Sequence, residues 1–171
     1  MIKWRKFLLG PGSASKGRAG FVGLVDTSTF NAAGVGSITT AAKDLLTAVL
    51  KANALYKNGM GVRIRAAGSF AGNGNNKNIF IRLGSTTIFD SGVLTDNGTT
   101  WICEVILRRT GTDTQFSSGY IIGGTAIRAQ NRTSGLTLDD GADQTIAVRA
   151  AQDTAADDTV ANDLQVEILT L

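Results

Sequence analysis

"RIRAAGSFAGNGNNKNIFIRLG", residues 63–84, holds two runs of alternating apolar and polar residues joined by a loop of glycine and asparagine. Alternation with period two marks a strand with one buried face, and Gly and Asn tolerate the positive φ that a tight reversal needs. The stretch reads as a β-hairpin. Val62, Ile64 and Ala66 share one face against Arg63, Arg65 and Ala67, and Ile79, Ile81 and Leu83 oppose Phe80 and Arg82. It contains no catalytic residue.

Working outward, the same pattern recurs in "TTIFDSG" (86–92), "TTWICEVILRRTG" (99–111), "TQFSSGYIIGGT" (114–125), "AIRAQNRTS" (126–134), "QTIAVRAAQ" (144–152) and "DLQVEILTL" (163–171). Gly, Asn or Asp punctuates most junctions. About eight short strands without a helical crossover indicate an antiparallel sandwich rather than a parallel α/β sheet. "AAKDLLTAVL" (41–50) fits a short helix or a first strand, and residues 10–40 read as extended linker and loop. The expected organisation is a basic, Gly-rich arm and linker over residues 1–45 and one β domain over 46–171. In the last strand Leu164, Val166 and Ile168 oppose Gln165, Glu167, Leu169 and Leu171. Phe80, Leu169 and Leu171 thus fall on a nominally outer face, where a second subunit is expected to cover them.

Composition agrees with a globular β chain: 171 residues, 43% apolar and 18% charged, with 21 glycines and one proline. No apolar run reaches membrane-spanning length, and Phe7, Leu8 and Leu9 are too short a centre for a signal peptide. The expected compartment is a cytoplasm. The single Cys103 excludes an intramolecular disulfide and shares a strand face with Trp101, Val105 and Leu107, as a buried inert thiol would.

Charge is unevenly spread. Residues 1–18 carry +5 through Lys3, Arg5, Lys6, Lys16 and Arg18, while residues 132–171 carry −6. Trp4, Phe7, Leu8 and Leu9 stand among those positive charges. An apolar anchor beside clustered cations suits docking on an acidic protein surface better than on nucleic acid.

The chemistry is mostly excluded. The chain has no histidine, which removes Ser-His-Asp and Cys-His nucleophiles and an imidazole base. "GSASKGRA" (12–19) has phosphate-loop glycine spacing but puts Arg18 and Ala19 where Lys and Ser/Thr belong. Asp139, Asp140 and Asp143 are candidate calcium ligands whose spacing misses the twelve-residue loop. Glu104 and Glu167, the only glutamates, stand far apart in the chain. No cofactor or metal is expected, and no enzymatic activity.

The run "KANALYKNGMGVRIRAAGSFAGNGNNKNIFIRLGSTTIFDSG" (51–92), then "NGTTWICEVILRRTGTDTQ" (97–115) and "NDLQVEILTL" (162–171), resembles a jelly-roll domain of structural proteins of tailed bacteriophages. The resemblance covers roughly residues 50–171 and rests on strands and turns, not on a catalytic signature. It implies a trimer-forming jelly roll on a virion, assembled in the host cytoplasm, as head fibre, capsid decoration or tail knob. The partners implied are two further copies and the capsid shell, with attachment through the arm; the alternative is a receptor-binding knob that contacts host carbohydrate.

Overall fold

Residues 23–24, 29–36, 41–124, 126–153 and 157–170 are described by a computed structural model, and all regular structure among them is β. The strands are β1 (Gly23–Leu24), β2 (Thr29–Gly36), β3 (Lys43–Leu50), β4 (Gly61–Phe70), β5 (Lys77–Leu83), β6 (Thr86–Asp90), β7 (Thr100–Gly111), β8 (Thr114–Gly123), β9 (Ala126–Leu136), β10 (Gln144–Gln152) and β11 (Thr159–Leu169). They form two sheets. The larger runs β1-β11-β4-β7-β8-β9 with β2 also on β11, the smaller runs β3-β10-β5-β6, and the ladders are antiparallel throughout. The all-β antiparallel class is as the alternation indicates, with more strands than the eight or so expected.

The 63–84 stretch is not a hairpin. β4 lies in the larger sheet and β5 in the smaller, so residues 71–76 arch between sheets. Val62, Ile64, Ala66 and Phe70 share one buried core with Ile79, Ile81 and Leu83. Alternation marks which face is buried, not which strand lies alongside, so a hairpin and an arch look alike locally. The hairpin proper is β5–β6: Leu83 pairs Thr86, and Gly84 takes the turn at φ +56°.

One further expectation changes. Gly23–Leu24 and Thr29–Gly36, inside the presumed linker, pair with β11. "TFNAAGVG" shows no apolar alternation, yet backbone pairing along a neighbouring strand needs none. Of the helix and the strand that fit residues 41–50, the strand is found: β3, Lys43–Leu50, pairs β10 along most of its length. Their ladder shifts register between Val148 and Arg149, and the bulge lets consecutive Leu45 and Leu46 both be buried. That doubled burial is what blurred the period.

The core lies between the sheets. Trp101, Cys103, Val105 and Leu107 of β7 are all buried, and Trp101 packs on Phe70 with ring centroids 6.2 Å apart. Gly68, paired with Trp101, makes room for the indole: a Cβ there would meet the ring at 2.7 Å and collide with the Val160 carbonyl. Burial, with the Glu104 carboxylate next to it, pushes the Cys103 thiol up and keeps it protonated.

Loops gather at two ends. Residues 51–60, 84–85, 112–113 and 137–143 lie at one, where β1 pairs Gly23 with Ile168; we call it the proximal end, because β1 lies there. Residues 71–76, 91–99 and those flanking the β8–β9 and β10–β11 connections form the distal end.

Candidate functional site

Lys3, Trp4, Arg5, Lys6, Phe7, Leu8, Leu9, Lys16 and Arg18 of the expected attachment arm, and Leu171 of the expected interface, lie outside the described residues. Phe80 and Leu169 are both half-buried, and the fold does not bring them together. Phe80 sits on the outer face of the smaller sheet, in register between Arg149 and Asp90. Leu169, two residues beyond Glu167 on the same side of β11, is on the outer face of the larger sheet, opposite Gly61. A single patch cannot include both.

The outer face of the larger sheet is built of cross-strand rows. One runs Gln165, Arg65, Glu104, Tyr120; the next runs Glu167, Arg63, Ile106, Ser118, Arg132. The bases and acids pair across strands, Arg63 Nη1 to Glu167 Oε2 at 2.9 Å and Arg65 Nε to Glu104 Oε2 at 3.5 Å. Glu104 and Glu167, distant in sequence, thus share a face, each engaged by arginine. Ser118 is the one small side chain of its row, and a shallow groove of about 500 Å³ opens over it, walled by Glu104, Ile106, Tyr120 and Arg132. The Arg132 guanidinium lies 4.8 Å from the centre of the Phe116 ring, which holds that wall in place. Tyr120 could be seen in the sequence but not its neighbours, which come from three strands. Beside the groove, Ile122 pairs with Ile102 and Ile127, 43% and 57% exposed, giving an apolar row.

The acidic turn of β9–β10 spends its carboxylates on N–H donors. Asp140 Oδ2 takes Arg109 Nε at 2.6 Å and the Asp113 N–H at 3.0 Å, and Oδ1 takes Gln115 Nε2 at 2.8 Å. Asp143 takes Lys51 Nζ and the Ala52 N–H, both at 2.8 Å, and Asp139 the Gly141 N–H. Those donors do the work a cation would otherwise do. Among the described residues no group of three or more Cys, Asp or Glu is placed to hold a metal.

The distal end is organised by a residue that sequence reading passed over. Lys77 opens β5 and looks like a solvated strand-end lysine, yet it is 1% exposed. Its Nζ donates to Asn73 O at 3.1 Å, Asn73 Oδ1 at 3.0 Å, Asn75 O at 2.9 Å and Asp96 O at 3.1 Å. Asn73 Nδ2 and Asn75 Nδ2 reach Asp158 Oδ1 and Oδ2 at 2.6 and 2.9 Å. Arg128 Nε lies 2.8 Å from Asp96 Oδ1, close as an ion pair but off the line of a hydrogen bond. The glycine-asparagine loop is therefore a polar clasp over the end of the sandwich.

No known protein family matches the chain, and no curated protein matches it.

Proposed function

We propose that this chain is a non-enzymatic structural protein of a tailed-bacteriophage virion, a jelly roll carried on the capsid shell as a decoration or minor head protein and held there by its N-terminal arm. The strand order is the observation that carries the reading. β2-β11-β4-β7 faces β3-β10-β5-β6, which supports reading the sandwich as a two-Greek-key jelly roll with β8 and β9 as an added hairpin. That architecture is common in capsid proteins and lectins, and the resemblance of residues 50–171 points to its virion members. The placement of β1 supports the same reading: Gly23 pairs with Ile168 at the proximal end, and a shell on that side would leave the distal loops facing away from it. Phe80 and Leu169 lie on two different patches, as the head-to-tail contacts of a cyclic homotrimer require.

Deleting residues 1–20 tests the attachment. The truncated chain is expected to keep its melting temperature and to be lost from assembled particles; normal incorporation defeats the reading. The groove at Tyr120 favours a second reading, a receptor-binding knob that takes host carbohydrate, because a ring and an aliphatic wall rimmed by Glu104, Ser118 and Arg132 match the mixed faces of a sugar. Binding of sugar by the isolated domain, lost in Tyr120→Ala, would favour that reading over the capsid one.

A further inference from the structure

One carboxamide at the distal end is approached from three sides. Lys77 Nζ, on a residue 1% exposed, stands 3.0 Å from Asn73 Oδ1. The Asn75 backbone N–H donates to the same oxygen at 3.2 Å. On the far side Asn73 Nδ2 donates to Asp158 Oδ1 at 2.6 Å, and Asp158 is also 1% exposed. An amine beside a carbonyl, an N–H on its oxygen and a carboxyl group on its leaving nitrogen are the nucleophile, the oxyanion donor and the proton carrier of an acyl transfer.

We propose that Lys77 and Asn73 join in an intramolecular isopeptide bond, with Asp158 carrying the protons. One proton passes from the Lys77 ammonium to the Asp158 carboxylate by way of the Asn73 carboxamide that bonds both, giving a free amine and a carboxylic acid. Nζ then adds to Cγ of Asn73; the new C–N bond forms and the carbonyl π pair moves onto Oδ1, where the Asn75 N–H holds it. Asp158 gives its proton to Nδ2 and takes one from the former lysine nitrogen. The Cγ–Nδ2 bond breaks and the carbonyl reforms. Ammonia departs with the proton that Asp158 still carries, restoring the carboxylate. The net change is one new amide and one ammonium ion, and no oxidant, reductant or further reactant is needed.

The surrounding contacts serve this step. Asn75 O and Asp96 O, at 2.9 and 3.1 Å, fix the amine against the carboxamide, which is the pre-paid positioning on which intramolecular reactions depend. Burial keeps out the water that would otherwise compete for the acyl carbon. The product closes residues 73–77 into a ring, locking the arch that joins the two sheets.

Mass spectrometry of the denatured full chain tests the proposal. The wild-type chain is expected to weigh less than its sequence by one ammonia. Trypsin should leave Lys77 uncut, so that Ala66–Arg82 appears as a single peptide lacking that ammonia. Lys77→Met and Asp158→Asn should both weigh their full sequence mass, and circular dichroism should show Asp158→Asn folded. A wild-type chain of full mass after prolonged incubation overturns the proposal without recourse to any variant. So does a lighter chain whose Lys77 is still cut and whose deficit persists in Lys77→Met, because that is a succinimide at Asn73–Gly74.

Discussion

The two ends of the sandwich are each tied around one basic side chain, and the two ties differ in kind. At the proximal end Arg109 meets a carboxylate directly: Nε lies 2.6 Å from Asp140 Oδ2, Nη1 reaches Asn58, and both ionised side chains are mostly buried. At the distal end Lys77 meets only backbone carbonyls and a carboxamide, with the nearest acid in the clasp, Asp158, one asparagine away. A guanidinium has a planar fork suited to a carboxylate and does no chemistry there; an ammonium is a compact donor that rotates among several oxygens and becomes a nucleophile once it loses a proton. The proximal tie is an ion pair. The distal tie is a set of neutral acceptors around a reactive atom, and its strength depends on keeping water out.

Trp101→Ala, beneath the distal end, should have the largest effect, roughly 3 to 5 kcal/mol as a buried aromatic truncation. Denaturant unfolding measures it, and a negligible shift would mean that the Trp101, Cys103, Val105, Leu107 face is not the core face. Lys77→Met should follow, at about 3 kcal/mol, the upper end of what leaving buried acceptors without their donor costs. Arg109→Met should cost less, about 2 kcal/mol, since hydrogen bonds to charged groups are worth roughly that and water can reach Asp140 once the arginine has gone. If Arg109→Met is the more damaging, the order of the two ends is reversed.

A smaller effect separates the ends by pH. The hydrogen bond from Lys51 Nζ, then that from the Ala52 N–H, holds the Asp143 carboxyl below the usual carboxylate range. A depressed folded-state value means the contribution is present above about pH 4, the ordinary aspartate value, and is lost as pH falls through the lower folded one. The gap in melting temperature between wild type and Asp143→Asn should therefore be small and open at neutral pH, closing in acid. A gap unchanged in acid would show that Asp143 acts through shape alone. Smallest of all is the effect of deleting residues 1–20, expected to leave both ends and the melting temperature unchanged.

How much of this was legible beforehand follows from what each signal encodes. β10 could be read to its bounds, Gln144–Gln152, because turn residues flank an apolar run on both sides, although Ile146, Ala147 and Val148 are all buried and the alternation is broken there. The buried faces of β4, β5 and β7 were equally plain. Partnering was not, because period two carries no information about the neighbour, and so the arch at 71–76 passed for a hairpin. β2 was hidden because its Phe30 and Val35 stand isolated among Thr, Asn, Ala and Gly and show no period, while the strand pairs through its backbone. The distal clasp was hidden for another reason: Lys77 and Asp158 are remote in sequence, and Lys77 is buried only because loops 71–76 and 91–99 fold over it.

The position of β11 bears on how the protein is made. It lies in the larger sheet between β4 on one side and β1 and β2 on the other, and it is the last of the described strands to leave the ribosome. Until Thr159–Leu169 emerges, β1 and β2 have no partner and the ten-residue β4 keeps one edge open. The larger sheet therefore closes in one late step that joins distant parts of the chain, the kind of step that makes β folds slow. An open edge held that long invites pairing with other nascent chains. A chain stalled before residue 159 is thus an aggregation risk, whereas a finished one closes the open edge of β4 and pairs β1 and β2 in the same step.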